Sequence, residues 1–306
     1  MQKPDEQRKD EVMFENDIGK LAYTSEKKIK AMNSFPPGYV AMSALAGAYL
    51  GFGIVLIFSV AAPLAGTQFA PFMKLVMGLS FGVALSLVIF AGSELFTGNN
   101  MVFAVGALKK RVGLGPIVKL FFLCFVGNLL GSIFLAWLVV QGGSLSAEAQ
   151  ALIVKVAAIK MSLGAKEAFF RGILCNWLVC LAVWIANRNG DETAKLIMIF
   201  WCLFAFIGSG YEHSIANQSL MSLALLLPHG AEVSVAGFIH NQVFVTAGNM
   251  VGGGLMVGMV YVFSQSPLTF ESKKNKLEEL QPVEQKERYE NPLLGVFGRS
   301  MSDTES

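Results

Sequence analysis

Charge is what this sequence has least of. Of its 306 residues 15% are charged, where a soluble domain carries about 25%. Apolar residues make up 54%, and the mean hydropathy is +0.53. That balance excludes a disordered chain and argues against a soluble enzyme. A basic face is also lacking: the net charge of +2 is spread over mixed-charge ends, which does not suit nucleic acid. Cysteine is scarce. Cys124, Cys175, Cys180 and Cys202 each sit inside an apolar run without metal-ligand spacing, so they read as small buried thiols. No phosphate loop, nucleophile elbow or zinc motif is present, so no cofactor, no metal and no enzymatic reaction are expected. The first 30 residues are polar and carry no signal sequence, so the first apolar segment is expected to stay as a helix.

What charge there is lies at the ends. Residues 1–37 hold 7 basic and 7 acidic residues, residues 265–306 hold 6 and 8, and the 227 residues between hold 11 and 7. The chain therefore divides into a polar segment 1–37, a membrane domain 38–264 and a polar tail 265–306. Within the tail, the spacing of Glu and Lys predicts a short charged helix over 271–290. A helix needs about 20 mostly apolar residues to cross a bilayer. Six regions qualify, near 38–61, 72–106, 114–140, 166–187, 193–227 and 240–264. The expected fold is an all-α integral membrane protein with six transmembrane helices. Lys109, Lys110 and Arg111, Arg188 and Lys195, and Lys273, Lys274 and Lys276 all fall on the side of the two ends. Positive charge marks the cytoplasmic side, which puts both termini there.

Two spans are interrupted. The second contains Glu94-Leu95-Phe96-Thr97-Gly98-Asn99, the fifth Gly210-Tyr211-Glu212-His213-Ser214-Ile215-Ala216-Asn217. Unwound backbone at membrane depth survives only where protein or a cavity covers it. The two interruptions also match each other. Each glutamate precedes an asparagine by five residues, and Gly127-Asn128 is echoed by Gly248-Asn249. Three spans is an odd number, so two such units, 38–140 and 166–264, form an inverted repeat with a permeation site expected where the breaks meet.

His213 is the one histidine deep in an apolar span. Imidazole there can donate a hydrogen bond or a proton to a permeating monovalent anion, or serve the backbone structurally. Glu94 and Glu212 either accept backbone N–H bonds at the breaks or act as gating or cation-binding carboxylates. Asn99 and Asn217 are expected to bridge freed backbone groups. The Thr97 hydroxyl can bond a substrate oxygen or the broken backbone. Leu85, Leu95, Phe96 and Phe206 lie near the breaks, where apolar side chains either pack or narrow a path. Lys160, before the fourth span, either concentrates anions at the outer face or snorkels. Arg171 has no clear role. A neutral-solute channel and a non-transporting scaffold remain alternatives.

Through the two interrupted strings, Gly127-Asn128, Asn176, Cys180-Leu181-Ala182-Val183-Trp184 and Gly248-Asn249 through Gly254, the chain over about 30–264 resembles the formate/nitrite transporter family. That resemblance implies an aquaporin-like arrangement of six helices and a homo-pentamer in the inner or plasma membrane. It implies one pore per protomer, and formate, nitrite or hydrosulfide as substrate, with protons as partners. It also implies roles: His213 as the central pore histidine, Thr97 as its partner, and Leu95 as the loop leucine facing the pore. Leu85, Phe206 and Phe81 become the constriction, Asn176 the polar residue of the fourth helix, Lys160 the vestibule lysine and Glu212 the buried glutamate. Glu94 stands where some formate channels have aspartate, and Tyr211 where some members have phenylalanine.

Overall fold

The structure is a computed structural model and describes residues 14–188 and 190–265. The charged helix expected over 271–290 lies outside them. Phe14–Ser264 forms one compact unit of helices. In chain order these are α1 (Glu15–Ser34), α2 (Pro36–Ala61), α3 (Met73–Ser80), α4 (Gly82–Ser86), α5 (Phe96–Leu108), α6 (Leu114–Gln141), α7 (Ala147–Met161), α8 (Ala165–Arg188), α9 (Glu192–Ser209), α10 (Ser214–Leu226), α11 (Val235–Gly253) and α12 (Val260–Phe263). Six helical stretches among the described residues are long and apolar enough to cross a membrane: 36–64, 70–92, 114–141, 165–188, 192–209 and 235–263. They correspond to the six regions read from hydropathy.

The second and fifth spans break as expected. A π-helical turn over Leu87–Gly92 ends the second. Ser93–Leu95 runs non-helical, and α5 starts at Phe96. The fifth stops at Ser209 and restarts at Ser214. Each restarted helix has 13 residues, roughly 20 Å of rise and too short to span the bilayer alone. Both chains leave their first half through a left-handed glycine, Gly92 at φ +77° and Gly210 at φ +71°. A Cβ on Gly92 would meet no atom within 4 Å, so the demand there is one of conformation alone. Gly92→Ala and Gly210→Ala are each expected to cost about 1–2 kcal/mol of stability, measurable as a lower melting temperature in detergent.

The two units pack alike. α6 lies on α2 with the Gly131 backbone against the Ala44 carbonyl. α11 lies on α8 with the Gly252 backbone against the Ile173 carbonyl. Small residues at these crossings let backbones approach where lipid offers no hydrophobic drive. Each unit also carries a helix ahead of its first span: α1 in the first, packed on α5, and α7 in the second, packed on α10. Arg111 reaches Glu26 at 3.3 Å and Arg188 reaches Asp17 at 3.0 Å. These contacts gather α1, the α5–α6 turn and the end of α8 on one side of the molecule. α7 lies on the other.

Candidate functional site

The break before α10 sets the position of His213. As the N-cap residue it has extended backbone, φ −111° and ψ 116°. Its Nδ1 accepts the Ala216 N–H at 3.1 Å. A backbone N–H can only donate, so the neutral ring carries its proton on Nε2. That nitrogen lies 3.0 Å from the Thr97 hydroxyl oxygen, on the first turn of α5. The Phe206 ring stacks on the imidazole with centroids 6.0 Å apart, and Phe81 meets Phe206 edge-on at 5.6 Å. His213, Phe206, Phe81, Leu85 and Leu95, with Leu50, Val179 and Leu203, line a small cavity of about 10 Å³. That is roughly room for one water molecule. Leu85 and Leu95 also border a larger cavity of about 950 Å³ that extends past Glu94 and Lys28 toward α1.

Asn176 stands behind the slit rather than in it. It is fully buried, and its Nδ2 donates to the Thr97 carbonyl at 3.1 Å and the Asn249 carbonyl at 2.7 Å. The Cys180 thiol donates to the same Thr97 carbonyl at 3.4 Å. Together they fix the backbone from which the Thr97 hydroxyl faces His213.

Among the described residues the glutamates accept none of the freed backbone N–H groups, and this corrects the expectation for Glu94, Glu212, Asn99 and Asn217. Glu212 pairs with Lys160 at 2.7 Å and accepts from Asn217 Nδ2 at 2.7 Å. Glu94 pairs with Lys28 at 2.6 Å and accepts from Asn99 Nδ2 at 3.1 Å and the Tyr39 hydroxyl at 3.2 Å. The backbone at the breaks is held by Asn128 and Asn249 instead. Asn128 accepts the Phe96 N–H at 3.0 Å and donates to the Ser43 and Glu94 carbonyls at 2.7 and 2.8 Å. Asn249 accepts the Ser214 N–H at 2.8 Å and donates to the Gly172 and Glu212 carbonyls at 2.8 and 2.9 Å. A carboxylate only accepts, whereas an amide accepts and donates at once, as a break with both N–H and C=O exposed requires.

Each glutamate N–H is taken by a carbonyl of the unit's first span, Met42 for Glu94 and Arg171 for Glu212, both at 3.2 Å. The Arg171 side chain is exposed and lies 3.9 Å from Glu167. Lys28, Tyr39 and Asn241 were not singled out from the sequence. Asn241 donates to the Lys160 carbonyl at 2.9 Å and accepts from Asn217 at 3.0 Å. The two groups are alike in their bonds, Lys28–Glu94–Asn99 and Lys160–Glu212–Asn217, but the repeat does not point to Lys28, because the glutamates are 118 residues apart and the lysines 132.

The pairing also changes what Lys160 offers. Its side chain is 20% exposed and its ammonium is bound to the carboxylate of Glu212, whose side chain is 3% exposed, so it presents a dipole rather than a bare charge. Lys160→Met leaves Glu212 buried without its partner, which is expected to cost about 3–5 kcal/mol. Lys160→Met with Glu212→Gln should recover most of that loss in a thermal-melting double-mutant cycle.

A family model described as formate/nitrite transporter matches residues 18–263. The chain belongs to the formate/nitrite transporter family. Among relatives of this family it is similar to the nitrite transporter NirC of Escherichia coli strain K12, at 42% identity over 254 residues, 82% of this chain and 92% of that one. A solved structure titled FNT family ion channel shares 40% identity with a TM-score of 0.78, covering 82% of this chain and 99% of that one. A pentameric formate channel with formate bound shares 27% identity with a TM-score of 0.66, covering 74% and 96%. The family is one of transporters and not enzymes. The spans, the paired breaks and the buried histidine all fall inside the matched region.

Proposed function

We propose that this protein conducts a small monovalent anion, formate or nitrite, through a pore in each protomer of a homo-pentamer. The membrane is the inner or plasma membrane, with the α1 side facing the cytoplasm. The observation that carries the reading is the buried His213, whose Nε2 meets the Thr97 hydroxyl and whose ring lines a small, mostly apolar slit, with a lysine–glutamate pair at each break. Dehydrating an anion in such a slit is costly without a donor. His213 supplies that donor, or passes its proton so that the neutral acid crosses. Thr97 holds the ring in line, Leu85, Leu95, Phe81 and Phe206 keep the slit dry, and Lys160 faces the approaching anion at the outer end. The names of the nitrite transporter and formate channel relatives support this substrate class, and the second supports five protomers. The test is flux into liposomes containing the purified protein, with formate, nitrite and hydrosulfide in competition across a pH series. Saturable uptake of formate or nitrite supports the reading. Passage of water or glycerol without anion competition, or no passage at all, overturns it.

A further inference from the structure

The two units are built alike, yet one place in them differs in kind. In the first unit Phe96, the first residue of α5, meets Phe121 and Phe125 of α6 with centroids 5.3 and 5.2 Å apart. The repeat that carries Glu94 to Glu212 carries Phe96 to Ser214. The repeat that carries Asn128 to Asn249 carries Phe121 to Gln242 and Phe125 to Thr246. An aromatic wedge in one unit is thus replaced in the other by three polar side chains.

Two of those side chains, Ser214 and Gln242, meet directly. Gln242 Nε2 donates to the Ser214 carbonyl at 3.2 Å, and Asn249 Oδ1 accepts the Ser214 N–H at 2.8 Å. Thr246 lies between Gln242 and Asn249 on the same face of α11, one turn from each. Ser214 is fully buried and Gln242 is 6% exposed. Yet Ser214 Oγ, Gln242 Oε1 and Thr246 Oγ1 are all buried atoms without a hydrogen-bond partner among the described residues. Three orphaned polar atoms at the α10–α11 contact would be costly in hydrocarbon surroundings. A buried water typically makes about three hydrogen bonds to such groups.

We infer that Ser214 Oγ, Gln242 Oε1 and Thr246 Oγ1 together bind one ordered water molecule that fastens the start of α10 to α11. Gln242 Oε1 accepts from the water, and the two hydroxyls complete its coordination. Ser214 follows His213 directly, and its N–H and C=O are already tied to α11. The water adds a third tie through the side chain, so Thr246 and Gln242 are positioning residues for His213. The first unit needs no such tie, because the Phe96 ring fills the corresponding space.

The inference is tested without reference to substrate. Thr246→Val keeps shape and removes one hydroxyl. With water bound, the full-length protein in detergent should melt about 2–4 °C lower, and Thr246→Ser should restore the melting point. With a dry site the valine removes an unsatisfied group, so an unchanged or raised melting point overturns the inference. An experimental structure at a resolution that places ordered solvent decides independently, including if the valine variant fails to assemble. Density within hydrogen-bonding distance of all three atoms supports the site, and its absence there overturns it. Wild-type anion flux tests the proposed function separately. If flux is observed, Thr246→Val should lower its maximal rate more than its half-saturating concentration, with Thr246→Ser recovering it.

Discussion

Replacing His213 with phenylalanine should abolish pH-dependent anion uptake into proteoliposomes while the protein still folds and assembles. The imidazole makes two hydrogen-bonding contacts, and under the proposed function only the second concerns the anion. Nδ1 caps the Ala216 N–H at 3.1 Å, worth about 1 kcal/mol to α10. Nε2 is the donor in the slit, 3.0 Å from Thr97. A hydrogen bond to a charged partner is worth about 1.5–3 kcal/mol, which predicts a fall in flux of roughly 10- to 150-fold. A phenyl ring retains stacking with Phe206 but has neither donor nor proton. Any residual flux should have lost its pH dependence. Wild-type pH dependence in the variant would remove His213 from the mechanism.

The second large effect concerns stability. Asn249→Leu keeps the side-chain volume and removes every bond of the amide. The Ser214 N–H and the Gly172 and Glu212 carbonyls then lose the partner that Asn249 gives them at 2.8–2.9 Å. The Gly172 carbonyl keeps its place in the α8 ladder, so the Ser214 N–H and the Glu212 carbonyl are the groups left unsatisfied, at about 1–3 kcal/mol each and about 2–6 kcal/mol together. Asn128→Leu should act alike in the first unit, through the Phe96 N–H and the Ser43 and Glu94 carbonyls. Thermal melting and recovery of assembled protein measure both. If either leucine variant matched the wild type, the asparagines would not be what holds the breaks.

The breaks were legible because polar residues and glycine stand out in apolar spans. The repeat was legible because Glu94 and Glu212 keep the same distance to Asn99 and Asn217. Most of what holds the breaks was not, since the lysines and the two backbone-gripping asparagines are far away in the chain. Asn128 lies 34 residues from the Glu94 carbonyl it holds, and Glu212 lies 52 from Lys160. Asn128 and Asn249 served as repeat markers, but nothing local shows that an amide two helices away grips a loop. Lys28 was hidden for another reason: it sits among other charges near the start of the chain, where its neighbours give it no distinction. α7 was missed because a 15-residue helix bearing lysines carries no spanning signal.

The repeat also governs how evenly the path is built from end to end. It sets Glu94 against Glu212, and each of these carboxylates binds a lysine, Lys28 and Lys160. The same correspondence places Leu95 opposite His213 and Thr97 opposite Ile215, so the Thr97–His213 contact joins positions that the symmetry does not relate. The likeness of the halves therefore stops at the one contact made between the breaks: the first unit supplies a hydroxyl and the second an imidazole, so exchanging the two halves would not rebuild it.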